Sequence, residues 1–151
     1  MTADHGLTHV DSTGAARMVD VSGKDISVRS AVATGRVYVS HDVVRALRDS
    51  TVPKGDALGV ARIAGIQAAK RTPDLVPLCH PIAIHAVILD LQVHDDPVAI
   101  SATVRTADRT GVEMEALTAV SMAALTIYDM CKGVDDTMVI RDVRVLSKSK
   151  Q

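Results

Sequence analysis

From Ala116 to Tyr128 the chain runs thirteen consecutive residues without a charge. A helix lying on one sheet needs a single apolar stripe and normally turns charge to water on its other side. Leu117, Val120, Ala124, Ile127 and Cys131 recur at helical spacing and predict the sheet-facing stripe, which leaves Met114, Met122 and Leu125 pointing elsewhere. Ala57–Ala69 repeats the pattern with Arg62 as its one charge. Two such helices call for a second apolar partner, and a homo-oligomer supplies one. The alternative is an Ala-rich outer face that is merely small.

The rest of the composition narrows the class. Among 151 residues there is no Phe and no Trp, and the aromatics are Tyr38 and Tyr128. Modules that stack bases on aromatic platforms are therefore not expected. A net charge of −1 argues against a protein held to nucleic acid by phosphate attraction. The length suits one domain with its own core, built from Val, Ile, Leu, Ala and Met. No apolar run approaches the roughly 18 residues of a membrane span, and the polar start MTADHGLTHV does not read as a signal peptide. A cytoplasmic location is expected. Cys79 and Cys131 read as free thiols, and without a CxxC no cysteine-based metal site is expected.

Along the chain, residues 1–30 are rich in Asp, Ser, Thr and Gly and read as an irregular arm, mobile or ordered by a ligand. Ala31–Val39 predicts a strand, and Ser40 caps a short helix over His41–Asp49. Pro53 and Gly55 break the chain before Asp56, the expected N-cap of a helix running to about Arg71. Leu75–Pro81 holds Pro77 and Pro81, with Pro73 just ahead of it, and is expected as a stiff loop. Ile82–His94 and Val98–Thr106 predict a hairpin turning at Asp95-Asp96-Pro97. Thr110-Gly111-Val112-Glu113 has the spacing of a capping box for the main helix, which closes at Lys132 with Gly133 as its C′ residue. Met138–Leu146 predicts a last strand, followed by a basic tail. The order predicts an α+β, ferredoxin-like split βαβ sandwich, an antiparallel sheet with helices on one face, oligomeric, as one domain over 31–148 with 149–151 as tail.

Four groupings could carry chemistry. His80, beside Cys79 and flanked by prolines, is presented by a rigid backbone and can donate a hydrogen bond or shuttle a proton, or be a loop histidine with no duty. Lys54-Gly55-Asp56 places an ammonium before a helix N-terminus, where a phosphate can settle, but the same triplet describes a solvated turn and cap. Glu113 and Glu115 stand in the first turn of the main helix about 100° per residue apart, so they cannot serve one ligand equally. The capping box accounts for Glu113 and leaves Glu115 unexplained. Asp129 and Lys132, at i, i+3, follow the uncharged run. An exposed pair of this kind is usually surface decoration, but at a buried seam such a lysine gains the ability to give and take a proton.

Read together, ARMVDVSGK (Ala16–Lys24), KGD (Lys54–Asp56), ARIAGIQAAKRTPDLVPLCHP (Ala61–Pro81), TGVEMEALTAVSMAALTIYDMCK (Thr110–Lys132) and VRVLSKS (Val143–Ser149) resemble the cyclic pyranopterin monophosphate synthase family of molybdenum cofactor biosynthesis. The resemblance spans about Leu7 to Lys148. It implies a ferredoxin-like fold, hexamers built as trimers of dimers, and active sites at subunit interfaces. The implied substrate is 3′,8-cyclo-7,8-dihydroguanosine 5′-triphosphate, supplied by a radical S-adenosylmethionine enzyme. Its products are cyclic pyranopterin monophosphate, which passes towards molybdopterin synthase, and pyrophosphate.

By the same resemblance, Asp129 falls on the catalytic aspartate and Lys54 and Lys132 on essential lysines. Leu78, Cys79, His80, Glu113 and Met114 fall on positions that bind the ring, with His80 and Glu115 suited to its polar edge. Arg17, Arg29, Lys70 and Lys148 become triphosphate contacts. Arg17 stands where some relatives have histidine, which suits phosphate binding and not proton transfer. No cofactor is implied, and whether Mg²⁺ accompanies the triphosphate stays open. The competing reading is a non-catalytic ferredoxin-like module that binds a small molecule between subunits. It would explain the apolar helices but not the two lysines and the aspartate.

Overall fold

In the computed structural model, which describes residues 6–151, the chain is ordered as β1 (Ser27–Tyr38), α1 (His41–Arg48), α2 (Ala57–Lys70), α3 (Thr72–Leu75), β2 (Ala86–Val93), β3 (Val98–Asp108), α4 (Glu113–Cys131) and β4 (Val139–Lys150). The strands form one sheet in the order β2-β3-β1-β4, with every neighbouring pair antiparallel. This is the ferredoxin-like arrangement that the element order predicts.

Small residues set the spacing of the layers. The buried side of α2 is Ala57, Ala61, Gly65, Ala68 and Ala69, and that of α4 includes Ala116, Ala119, Ala123 and Ala124. With no side chain larger than a methyl along much of the seam, the two helices pack closely. A Cβ on Gly65 would lie 2.9 Å from the Ala119 carbonyl oxygen and 2.4 Å from Leu89 Cδ2. On the other side of α4, a Cβ on Gly35 of β1 would lie 2.6 Å from Val120 Cγ1. Helix, helix and sheet therefore meet at positions where only glycine fits. The core is completed by Val37, Val98, Ile100, Val104, Val120 and Ile127, all almost fully buried.

Local chemistry sets the ends of the short elements. Ser40 Oγ accepts from Val43 N at 3.4 Å, and Asp56 Oδ1 accepts from Gly59 N at 3.0 Å, as N-cap residues do. Gly55 has φ +104°, a conformation that a side chain would strain, and makes the turn that carries Lys54 into α2. Asp96 Oδ1 accepts from Val39 N and ties the β2–β3 turn to the end of β1.

Several boundaries differ from the sequence reading. β1 begins at Ser27 and not Ala31, because its first residues find partners on both sides, Arg29 pairing with Thr106 and with Lys150. β4 runs to Lys150 and takes in most of the basic tail for the same reason. Ile82–His85 is not strand, and regular pairing of β2 starts at Ala86. A helical turn, α3, precedes the proline-rich loop, with Thr72 Oγ1 donating to the carbonyls of Ala68 and Ala69. The capping box does not form: α4 starts after Val112 with no side-chain cap, and Glu113 pairs instead with Lys148 of β4 at 3.4 Å. The far end of α4 closes with Val134 N donating to the Cys131 carbonyl, without a left-handed glycine at Gly133.

The stripe on α4 is as predicted, with Val120, Ala124, Ile127 and Cys131 buried and Leu117 partly so. Met114 and Leu125 stay 40% and 54% exposed, as do Val60 and Ile63 on the outer side of α2. The described helices include none long and apolar enough to cross a membrane.

Gly65→Ala is expected to destabilise the fold by about 1–3 kcal/mol, the usual cost of overpacking a filled core. Gly133→Ala, whose Cβ meets open space, should stay within about 0.5 kcal/mol of the parent. Thermal unfolding of the two variants beside the parent checks both.

Candidate active site

The antiparallel packing of α2 on α4 brings the start of one beside the end of the other. Lys54 lies eleven residues back from Gly65, and Asp129 lies ten residues on from Ala119. The close contact of Gly65 with Ala119 therefore sets Lys54 against Asp129. Lys54 Nζ donates to both carboxylate oxygens of Asp129 at 3.1 Å, and Lys132 Nζ reaches Oδ1 at 3.1 Å. Hydrogen bonds from Lys54 first and Lys132 second hold the Asp129 carboxyl below the usual aspartate range. The three side chains are about half exposed. At the start of α2 the Asp56 carboxylate accepts from the Gly59 N–H, while Lys54 turns to Asp129.

A second group assembles at the opposite end of α4. Leu78, Cys79, His80, Glu113, Met114 and Glu115 line one cleft of about 360 Å³, a volume within the range of small-molecule sites. The arm closes one wall with Val19, Val21 and Lys24. His80 Nε2 donates to the carbonyl of Val19, which fixes the ring against the arm and leaves Nδ1 free of that bond.

Glu115 is 1% exposed, and its Oε2 has no hydrogen-bond partner. Cys79 Sγ donates to its Oε1 at 3.6 Å. Burial raises the Glu115 carboxyl above its ordinary value. Burial, then the Glu115 charge, pushes the Cys79 thiol up to about 11, so at neutral pH it is a donor and not a nucleophile.

Glu113 separates this cleft from a smaller one lined by Arg29, Gly111, Lys148 and Lys150, where Lys148 holds the Glu113 carboxylate. Arg29 is fixed by Ser27 Oγ at 3.1 Å and the Arg109 carbonyl at 3.3 Å. Arg17 and Lys70 are exposed and line neither cleft. Lys70 ends α2 at the side where α4 begins, and Arg17 lies in the arm. Of the cleft residues that sequence reasoning left out, which include His9, Val19, Val21 and Thr110, Lys24 is the one cation. Its signal in the sequence is a cation directly after the turn-forming Ser22-Gly23.

A ferredoxin-like α+β domain thus carries a Lys–Asp–Lys cluster at one end of its longest helix and a carboxyl-lined cleft flanked by cations at the other. Residues 18–151 match the model of the MoaC family, and the chain belongs to that family. It is 66% identical over 146 residues to a protein of Nocardioides sp. named cyclic pyranopterin monophosphate synthase, covering 95% of this chain and 90% of that one. A Streptomyces coelicolor protein of the same name is 67% identical over 143 residues, covering 95% and 84%. Another from Corynebacterium glutamicum is 57% identical over 143 residues, covering 95% and 92%.

A carboxyl whose pKa is raised on folding contributes stability that is complete below its unfolded value and is lost as pH rises through the folded one. Glu115→Gln removes that loss. The variant's melting temperature, measured from pH 4 to pH 8.5, should gain on the parent as pH rises and fall back towards it in acid.

Proposed function

We propose that this chain catalyses the conversion of 3′,8-cyclo-7,8-dihydroguanosine 5′-triphosphate to cyclic pyranopterin monophosphate and pyrophosphate, a phosphorus–oxygen lyase step in molybdenum cofactor biosynthesis. The observation that carries this reading is Asp129 Oδ1 held at 3.1 Å by both Lys54 and Lys132 at the end of an otherwise uncharged helix. Two ammonium groups on one carboxylate leave a positive charge in excess, which suits a polyanionic substrate. Lys54 and Lys132 act as acid and base around the ring rearrangement, while Asp129 orients Lys132. Leu78, Cys79, His80, Glu113, Met114 and Glu115 hold the ring. Arg17, Arg29, Lys70 and Lys148 neutralise the triphosphate and the departing pyrophosphate. The arm ahead of β1, with Val19, Val21 and Lys24 on the cleft wall, borders the ring site, and the catalytic domain takes in the sheet from Ser27 to Lys150.

The distance along α4 supports a site shared between copies. Asp129 lies sixteen residues from Glu113, about 24 Å at the rise of an α-helix. Proton transfer works at hydrogen-bond reach, roughly 3 Å, so the two ends of one helix cannot serve one reacting ring. A homo-oligomer, a hexamer built as a trimer of dimers, lets one copy give the Lys–Asp–Lys cluster and another the ring cleft. The exposed Val60, Ile63 and Leu125 are the apolar surface such an assembly would cover. Upstream, a radical S-adenosylmethionine enzyme supplies the substrate, and molybdopterin synthase lies downstream.

Lys132→Ala should abolish pyrophosphate release from the cyclic dihydro-GTP while substrate binding remains measurable by calorimetry. Near-parental turnover would refute the assignment, and a parent that binds without releasing pyrophosphate would be a ligand-binding module. Mixing Lys132→Ala with Glu113→Ala and allowing subunits to exchange should recover up to about a quarter of parental activity, the share of sites rebuilt from two intact halves in random dimers. A mixture as inactive as its components would place both groups in one chain's site.

A further inference from the structure

Asp108 and Arg109, where β3 gives way to the start of α4, line neither cleft, yet the arm at Lys24, Arg29 of the smaller cleft and the loop after His80 are all tied to them. Arg109 Nε donates to the Lys24 carbonyl at 3.0 Å, holding the arm where Lys24 N closes a turn on the Val21 carbonyl. The Arg109 carbonyl accepts from Arg29 Nη2 at 3.3 Å. Asp108 Oδ1 accepts from Arg109 N at 2.7 Å, and its Oδ2 accepts from Ala83 N at 3.2 Å, in the loop that follows His80. The arm and that loop meet again where His80 donates to Val19. The residues that follow, Thr110 and Gly111, are themselves cleft wall.

We propose that Arg109, oriented by Asp108, is a positioning residue that braces the arm against the His80 loop and so sets Lys24 on the wall of the cleft. It acts through Lys24 and touches no reacting group. A main-chain carbonyl in an irregular arm has no sheet ladder to hold it, so a charge-assisted bond from a side chain rooted at the end of β3 is what fixes its position. Holding the arm in advance spares the substrate the cost of ordering it, so losing the brace weakens binding more than it slows the chemistry.

The inference rests on the proposed synthase reading for its kinetic arm and stands apart from it in its structural arm. Arg109→Met keeps the apolar stem and removes the donors. In the ligand-free protein, hydrogen exchange should speed up at the Lys24 amide while the α4 amides keep parental protection. In turnover, KM for the cyclic dihydro-GTP should rise about tenfold with kcat within about threefold of the parent. The KM effect should shrink to less than about threefold when Arg109→Met is added to Lys24→Met, since the two residues act as one unit. Where Arg109→Met does not fold, Arg109→Leu carries the same comparison, again without donors. Unchanged exchange at Lys24, or faster exchange with an unchanged KM, overturns the proposal. A parent protein with no turnover overturns the synthase reading instead, and the exchange comparison then decides alone whether Arg109 braces the arm.

Discussion

The close approach of α2 to α4 is the constraint on which the molecule depends. It exists because the seam holds alanine and glycine, and Gly65 lies where even a methyl would collide with the Ala119 carbonyl. Two helices this close have little freedom to slide, so their register is set by contact and not by the loops that join them. That register brings Lys54, which precedes α2 and comes from a turn dependent on Gly55, to Asp129 near the end of α4. A shift of one helical turn, about 5.4 Å, would part them. Packing far inside the domain is thus what assembles a charged cluster on its surface.

The same helix separates two kinds of environment. At its end, Asp129 and both lysines are half exposed in a single copy, and their attraction is screened by water. At its start, Glu115 is buried with one oxygen lacking a partner, and burial favours its protonated form. Covering the lysine end with a second copy would strengthen its electrostatics by excluding water.

Much of the fold was legible because it is written in local chemistry. Ser40 and Asp56 cap the helices that their positions announced, and the uncharged run over Ala116–Tyr128 marked both the stripe on the sheet and the apolar side left over. Asp129 and Lys132 were visible as an i, i+3 pair, but nothing local brings Lys54 to them; the resemblance named it, and only helix packing explains the contact. The misreadings share one cause, a competing partner distant in sequence. Thr110 and Glu113 have capping-box spacing, but Lys148 of β4 takes the glutamate. Ser27–Ser30 and Ser147–Lys150 look like arm and tail, with too few apolar residues to announce strands, yet they pair along the edge of β1. Lys24 was overlooked because its place on the cleft wall depends on Arg109, eighty-five residues away.

A seam made of the smallest side chains has a further consequence for how such a chain can diverge. Mutation at Ala61, Gly65 or Ala119 can almost only add volume, so change there is one-directional and each step must be absorbed by a neighbour that is already minimal. The outward positions of the same helices, Val60, Ile63 and Leu125, face no such ceiling within a single copy. Two copies of this domain that drift apart should therefore come to differ first in what they present to each other, and last in the spacing that aligns their lysines.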